Sequence, residues 1–223
     1  MSQRTLEIKP VSAGLAKQLG RMVEDAMPDY PGGLANAELV KGDPDFAKFF
    51  YEFCDVRAAE RAKIVAIQDR PVWRQVKIGT HKSNAELRSA LVNGKFQISS
   101  WGGDILNKTD VATEPTELPL VLVSGEDLGL KGTPTRKQIF DAALATGILD
   151  LCPAEVGPQL RLQYTDQPKG EWNPVAMEPI TDSDGDLELF YLEHDDGGLW
   201  LDADDGYPDI QWCASNRWVF VRK

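Results

Sequence analysis

The chain has 223 residues, 42% of them apolar and 26% charged, with a formal net charge of −11. At roughly 150 residues per domain this is one large domain or two small ones, with enough chain to bury a core. Collagen-like, low-complexity and wholly disordered chains are excluded by composition. The longest uncharged apolar run, residues 118–123, falls far short of the roughly 18 residues that a membrane-spanning helix requires.

The first seventy residues read as helical. Val11, Leu15, Leu19, Met22, Val23 and Ala26 recur at helical spacing, and the pattern stops at Pro28 before a loop at Pro31-Gly32-Gly33. Asp43-Pro44 reads as a cap followed by proline at the first helical position. The helix it opens carries an aromatic stripe, Phe46, Phe49, Phe50 and Phe53, and reaches about Gln68. Such a stripe is a core-facing feature before it is a ligand site. Helical periodicity gives way to strand alternation at Arg70-Pro71, which marks a boundary between a helical domain over residues 1–70 and a second domain over residues 72–223.

Residues 72–149 predict a small mixed α/β region. Residues 72–78 alternate as a strand, and Ser83 with Glu86 has capping-box spacing ahead of a short helix ending at Gly94. Residues 96–98 read as a strand, 101–106 as a helical turn and 118–123 as a short apolar strand. Thr133-Pro134 predicts a second cap, opening a helix through Ile139, Phe140, Ala143 and Leu144 that Gly147 ends.

Residues 150–223 predict an antiparallel β part. Strand candidates fall at 161–164, 172–180, 186–193, 199–201 and 217–222, separated by Asp-Gly turns at 182–185, 195–198 and 204–206. The whole charge imbalance lies here. Residues 1–149 hold 19 acidic and 19 basic side chains, whereas residues 150–223 hold 16 acidic against 5 basic. Such a region repels nucleic-acid phosphates and anionic membranes, so direct binding to either is not expected. Solubility is the plain reading of the charge; a cation site, a basic partner and imitation of a phosphate surface are the sharper ones.

The string from Asp182 through Glu193 places acids at positions 1, 3, 5 and 12, as a calcium-binding loop does. Leu187 stands where that loop needs glycine, and the flanks alternate as strands, so a hairpin turn is the favoured reading. A weak divalent-cation site from Asp182, Asp184 and Asp186 remains as the metal alternative, and no other cofactor is expected. His81 and His194 lie too far from each other and from any cysteine to make a zinc set. No nucleophile elbow or phosphate-binding glycine loop is present, and helix capping explains Ser124 better than catalysis does. Enzyme activity is therefore not the leading expectation. Cys54, Cys152 and Cys213 are odd in number and widely spaced, which suits reduced thiols. With no apolar secretory segment after Met1, the expectation is a soluble cytoplasmic protein.

The segments Leu151-Cys152-Pro153-Ala154-Glu155-Val156-Gly157-Pro158-Gln159-Leu160-Arg161-Leu162, Ala176-Met177-Glu178-Pro179-Ile180 and Asn216-Arg217-Trp218-Val219-Phe220-Val221-Arg222-Lys223 resemble a group of uncharacterised bacterial and phage proteins sharing this acidic, Trp-rich C-terminal part. The likeness runs from about Val76 to Lys223 and implies no activity. The Trp-rich β end is also loosely similar to C-type-lectin-like modules, which are binding scaffolds.

Together these readings predict an α+β protein, with a helical N-terminal segment, a mixed region and an acidic antiparallel part. Its expected role is to bind a protein partner, a basic one, through acidic and aromatic residues. Turns 181–185 and 203–209 should share one end of the sheet, with 194–198 at the other. The candidate partner-binding residues are Asp202, Asp204, Asp205, Asp209, Trp200 and Trp212, because Trp anchors interfaces and carboxylates steer cations. Trp218 is expected near that rim. The alternatives are an acidic inhibitor mimicking nucleic-acid phosphates and a metal-assisted hydrolase using Asp182–Asp186.

Overall fold

The computed structural model describes the backbone of residues 44–223 and the side chains from Asp55 onward. The expected helix over residues 11–26, the Pro31-Gly32-Gly33 loop, the Asp43 cap, the side chains of the Phe46–Phe53 stripe and Cys54 lie outside the described residues. Contacts divide the chain into two units, Met1–Glu60 and Arg61–Lys223. Helix α1 (Pro44–Gln68) starts at the predicted proline and crosses that division. Proline suits this first position because the N–H it lacks would have no partner inside the helix.

The second unit is α+β, with helices and strands interleaved along the chain. In order it holds β1 (Arg74–Ile78), α2 (Asn84–Asn93), β2 (Gln97–Ile98), α3 (Ser100–Lys108), β3 (Thr116–Ser124), α4 (Arg136–Ala145), β4 (Leu149–Asp150) and α5 (Val156–Gln163). Then come β5 (Trp172–Pro174), β6 (Ile180–Thr181), β7 (Leu187–Asp195), β8 (Gly198–Asp205) and β9 (Arg217–Arg222). One antiparallel sheet runs β1-β3-β9-β4, and a second runs β2-β8-β7-β5, with β6 also paired to β7.

The last third therefore does not close into one sheet. Its final strand, β9, leaves to pair β3 and β4, with Val121 opposite Phe220 and Leu149 opposite Arg222. That placement follows from its sequence, since Trp218, Val219 and Phe220 are consecutive and all fully buried, as a central strand covered on both sides requires. The expected strand over 172–180 is also broken. Val175 and Ala176 bridge the two sheets: Val175 N–H donates to Phe190 O at 2.8 Å, and Ala176 N–H donates to Val219 O at 3.0 Å. Two fully buried residues thus stitch one sheet to the other.

A second correction concerns residues 161–164, expected as a strand. Residues 161–163 belong to α5, with Tyr164 just past its end, and Leu160-Arg161-Leu162-Gln163 alternates in sequence yet packs as a helix. Pro158 is tolerated because it sits in the first turn, where backbone donors have no helical partner. Gly157 is required by packing, since an added Cβ would meet the Phe190 side chain at 2.6–2.8 Å. The cap of α4 lies two residues beyond the expected Thr133. Thr135 and Gln138 form a reciprocal capping box, while Pro134 gives its carbonyl to Trp212 N–H at 2.9 Å. Ser83 caps α2 as expected. Gly147, at φ +72, follows α4 in the left-handed conformation that ends helices.

The core spans both sheets and the helices between them. Val76, Leu87, Leu91, Ile105, Leu120, Ile139, Leu160, Phe190, Leu201 and Trp218 are all buried, and each side chain of this kind contributes roughly 1.5–3 kcal/mol of transfer free energy. The last turn of α1 belongs to this unit. Ile67 is buried, and Arg222 donates to the carbonyls of Gln68 and Arg70, satisfying acceptors that the helix end leaves open. Arg70 in turn makes a two-pronged ion pair with Asp127.

Candidate functional site

Strands β7 and β8 are joined by a two-residue loop, with Asp195 opposite Gly198. That register places Glu193 opposite Trp200, Tyr191 opposite Asp202 and Leu189 opposite Asp204, and β5 adds Trp172 opposite Glu193. Cross-strand partners share a face, and residues two apart on one strand do as well. One face of the sheet therefore carries Trp172, Tyr191, Glu193, Trp200, Asp202 and Asp204. The alternate positions Phe190, Leu192, Leu201 and Ala203 are buried against the core, whereas all six named residues stay partly open to solvent. Three aromatic rings and three carboxylates thus share one half-exposed surface, with no lysine or arginine among them.

The rings are held firmly. Trp172 stacks on Trp212 at 5.6 Å and 21°, Trp212 meets Trp218 edge-on at 4.7 Å, and Trp172 also touches Tyr191 at 5.3 Å. A continuous aromatic chain therefore runs from the buried centre of β9 to the open face. The Tyr191 hydroxyl donates to Asp202 Oδ2 at 2.9 Å, and Trp200 Nε1 donates to Asp195 Oδ1 at 2.7 Å. Asp195 also accepts the backbone N–H groups of Gly197 and Gly198, closing the loop.

The carboxylates crowd one another. Burial, then the charges of Asp195 and Asp202, push the Glu193 carboxyl above its ordinary value. Burial, followed by Asp205 and Asp202, pushes Asp204 up as well. Burial and the neighbouring Asp202 carboxylate raise the Tyr191 phenol. Asp195 moves the other way, held below the usual carboxylate range chiefly by the Trp200 hydrogen bond. Among the described residues no lysine or arginine makes an ion pair with Glu193, Asp202 or Asp204.

Of the residues singled out in the sequence, Trp200, Asp202 and Asp204 share this face. Asp205 pairs with Glu188 on the opposite face, and Asp209 lies exposed in the loop after β8. Trp212 is only 6% exposed and supports the face from beneath, while Trp218 is wholly buried in the other sheet. Turns 181–185 and 203–209 do lie at one end of the hairpin and 194–198 at the other, but Trp200 sits near the latter. Trp172, Tyr191 and Glu193 were missed by the sequence reading. The short loop at Asp196-Gly197 carries the signal that finds them, because a two-residue hairpin fixes which residues face each other.

The Asp182–Asp186 string is a turn. Asp182 is 7% exposed, and its Oδ1 accepts the N–H groups of Asp184 and Asp186, each at 2.9 Å. Gly185 takes φ +97, a conformation that favours glycine. Asp186 accepts the Tyr207 hydroxyl at 3.0 Å. Among the described residues no group of three or more His, Cys, Asp or Glu side chains could hold a metal ion, and Asp182, Asp184 and Asp186, which stood as the alternative to the favoured hairpin turn, form that turn. Ser124 is likewise structural: its hydroxyl donates to Asp127 at 2.8 Å and accepts the Asp127 N–H at 3.1 Å. His194 Nδ1 lies 2.6 Å from the Gln167 carbonyl. Among the described residues no helix is long and apolar enough to cross a membrane.

Comparison with protein-family models, with curated proteins and with solved structures returned no match. The face itself has to carry the functional reading.

Proposed function

We propose that this is a binding protein whose acidic, aromatic C-terminal sheet engages a basic protein partner. The observation that supports the reading is the half-exposed face on which Trp172, Tyr191 and Trp200 lie among Glu193, Asp202 and Asp204. Rigid aromatic side chains bury large area at small entropic cost, and Tyr and Trp are the residue types that most often dominate binding energy. Clustered carboxylates speed encounter with a cationic surface and reject anionic ones. A partner presenting Lys or Arg would also relieve the mutual repulsion that adds to burial in raising Glu193 and Asp204.

Selection of random displayed peptides against the whole chain tests this. The recovered sequences should be enriched in Lys and Arg, and they should lose affinity at high salt. The Glu193→Gln/Asp202→Asn variant should bind them about ten-fold more weakly or worse, mainly through slower association. Recovery of sequences with no basic excess, or equal binding by that variant, would overturn the reading. Displacement of the peptides by proteins that bind duplex DNA, with competition from the DNA itself, would mark the partner as a nucleic-acid-binding protein.

A further inference from the structure

At the far end of the same hairpin, where residues from both sides of the sheet meet, α3 overhangs a cavity of about 360 Å³. Its walls are Trp101, Leu187, Ala203 and Tyr207, and its polar groups are Asp186, Glu188, Asp204 and Asp205. We infer that this cavity receives the guanidinium of a single arginine side chain from the basic partner, stacked on Trp101 and paired with Glu188. The inference rests on the reading of a basic partner and adds which residue type that partner must present.

Size comes first. Ligand pockets run from about 300 to 1,000 Å³, so this one is at the small end, suited to one side chain. The aromatic wall comes second. Trp101 is 58% exposed although it stands on a helix packed firmly to the sheet. Ser99 caps α3 by accepting the Gly102 N–H at 2.9 Å. Gly102 lies so close to β8 that an added Cβ would meet Leu201 O at 2.8 Å. The indole is therefore presented from a rigid mount and is not tucked away by folding. A flat cation over an indole face is attracted by the ring quadrupole.

The carboxylates then distinguish the ligand. Asp186 already accepts the Tyr207 hydroxyl, Asp205 Oδ1 accepts the Tyr207 N–H, and Asp204 Oδ1 accepts the Asp205 N–H. Glu188 is half-buried in the wall, and its carboxyl accepts no hydrogen bond among the described residues. It is the one carboxylate here with both oxygens open for a planar fork. Its surroundings press it to stay neutral: burial, then Asp182, Asp204, Asp205 and Asp186, raise its carboxyl to about 7. A bound cation reverses that pressure. Guanidinium satisfies all three conditions at once, being planar, weakly hydrated and able to give two parallel hydrogen bonds, whereas an ammonium gives a single point of charge.

The test uses the full chain and three capped peptides: oligo-arginine, oligo-lysine and oligo-citrulline, the last a neutral mimic of arginine. The readout is the indole N–H signal of Trp101, assigned with the Trp101→Phe variant. Oligo-arginine should move that signal saturably, oligo-lysine should bind several-fold more weakly, and oligo-citrulline should leave it in place. Trp101→Ala and Glu188→Gln should each weaken oligo-arginine binding by about ten-fold, and neither should lower the melting temperature, since Trp101 is exposed and Glu188 is a strained acid. Equal binding of arginine and lysine peptides overturns the guanidinium assignment. Oligo-arginine that leaves Trp101 unmoved, yet loses its binding in the Glu193→Gln/Asp202→Asn variant, overturns the cavity while the sheet face stands. A saturable Trp101 shift, together with no basic enrichment among the selected peptides, keeps the cavity and removes the sheet face.

Discussion

The side-chain amide of Gln163 pairs with both backbone groups of Lys77. Lys77 N–H donates to Gln163 Oε1 at 3.0 Å, and Gln163 Nε2 donates to Lys77 O at 2.8 Å. Helix α5 thereby supplies one rung of a strand to β1, the edge of the first sheet. An unpaired edge is a template for pairing with another chain, and covering it is one of the ways proteins prevent this. We expect Gln163→Ala to lower stability by only about 1 kcal/mol, because both bonds lie near solvent. Its larger effect should be concentration-dependent self-association on warming, read by light scattering. A variant that melts lower yet stays monomeric would show that the amide only anchors the helix.

Gly157 and Phe190 hold α5 close against the second sheet. An added Cβ would lie 2.6–2.8 Å from the Phe190 side chain, so Gly157→Ala must push helix and strand apart or turn the ring off its rotamer. Overpacking of this kind costs about 1–3 kcal/mol. Chemical denaturation should show that loss, and Gly157→Ala combined with Phe190→Leu should recover part of it, since the smaller side chain returns the space. Strict additivity of the two changes would mean that they do not share a contact.

How far the sequence reaches is visible in these same elements. Strands β1, β3, β7 and β9 and helices α2 to α4 follow from alternation, caps and proline placement, which are local. Helix α5 does not, because Leu160-Arg161-Leu162-Gln163 carries a strand-like alternation and Gly157-Pro158 reads as a breaker. Its buried Arg161 explains the conflict. The guanidinium faces inward, donating to Gln167 Oε1 at 2.5 Å and to the Tyr164 carbonyl, with the Phe96 ring 5.4 Å away. Burial lowers it to about 10. A charged residue used as core is not read from a binary pattern. The departure of β9 to the first sheet was equally hidden, since strand pairing between distant segments leaves no local mark. Of the open face, Asp202, Asp204 and Trp200 were legible from composition and turns, whereas Glu193 was not. Tyr191 and Trp172 needed the register.

Asp182 offers a clean separation between a turn and a metal site. Its Oδ1 receives two backbone N–H groups in a nearly closed environment. Asp182→Ala leaves both donors without a partner and should cost about 1–3 kcal/mol. Asp182→Asn keeps an acceptor oxygen in place and should retain most of the stability, because Asn serves this kind of turn as well as Asp does. Thermal melts of the three proteins, each with and without a chelator, make the check. A chelator-sensitive melting temperature in the parent protein, lost in Asp182→Asn, would identify a cation ligand instead of a turn residue.

Glu188 sets the last expectation, on pH. Its carboxyl is raised from the ordinary value of 4.5 to about 7 by burial and by Asp182, Asp204, Asp205 and Asp186. Between those two values the folded chain holds a proton that the unfolded chain has released. The contribution of Glu188 to stability must therefore fall as pH rises through that window and level off above it, because the folded state binds the excess proton. Glu188→Gln removes the titration while keeping the shape. The variant should match the parent protein at about pH 4, gain on it steadily to about pH 7, and stay more stable above. The difference between the two melting curves is the quantity to measure, since the remaining carboxylates largely cancel in it. A difference independent of pH over this range would mean that Glu188 titrates as an ordinary surface acid, and that the negative charge around it is relieved by solvent.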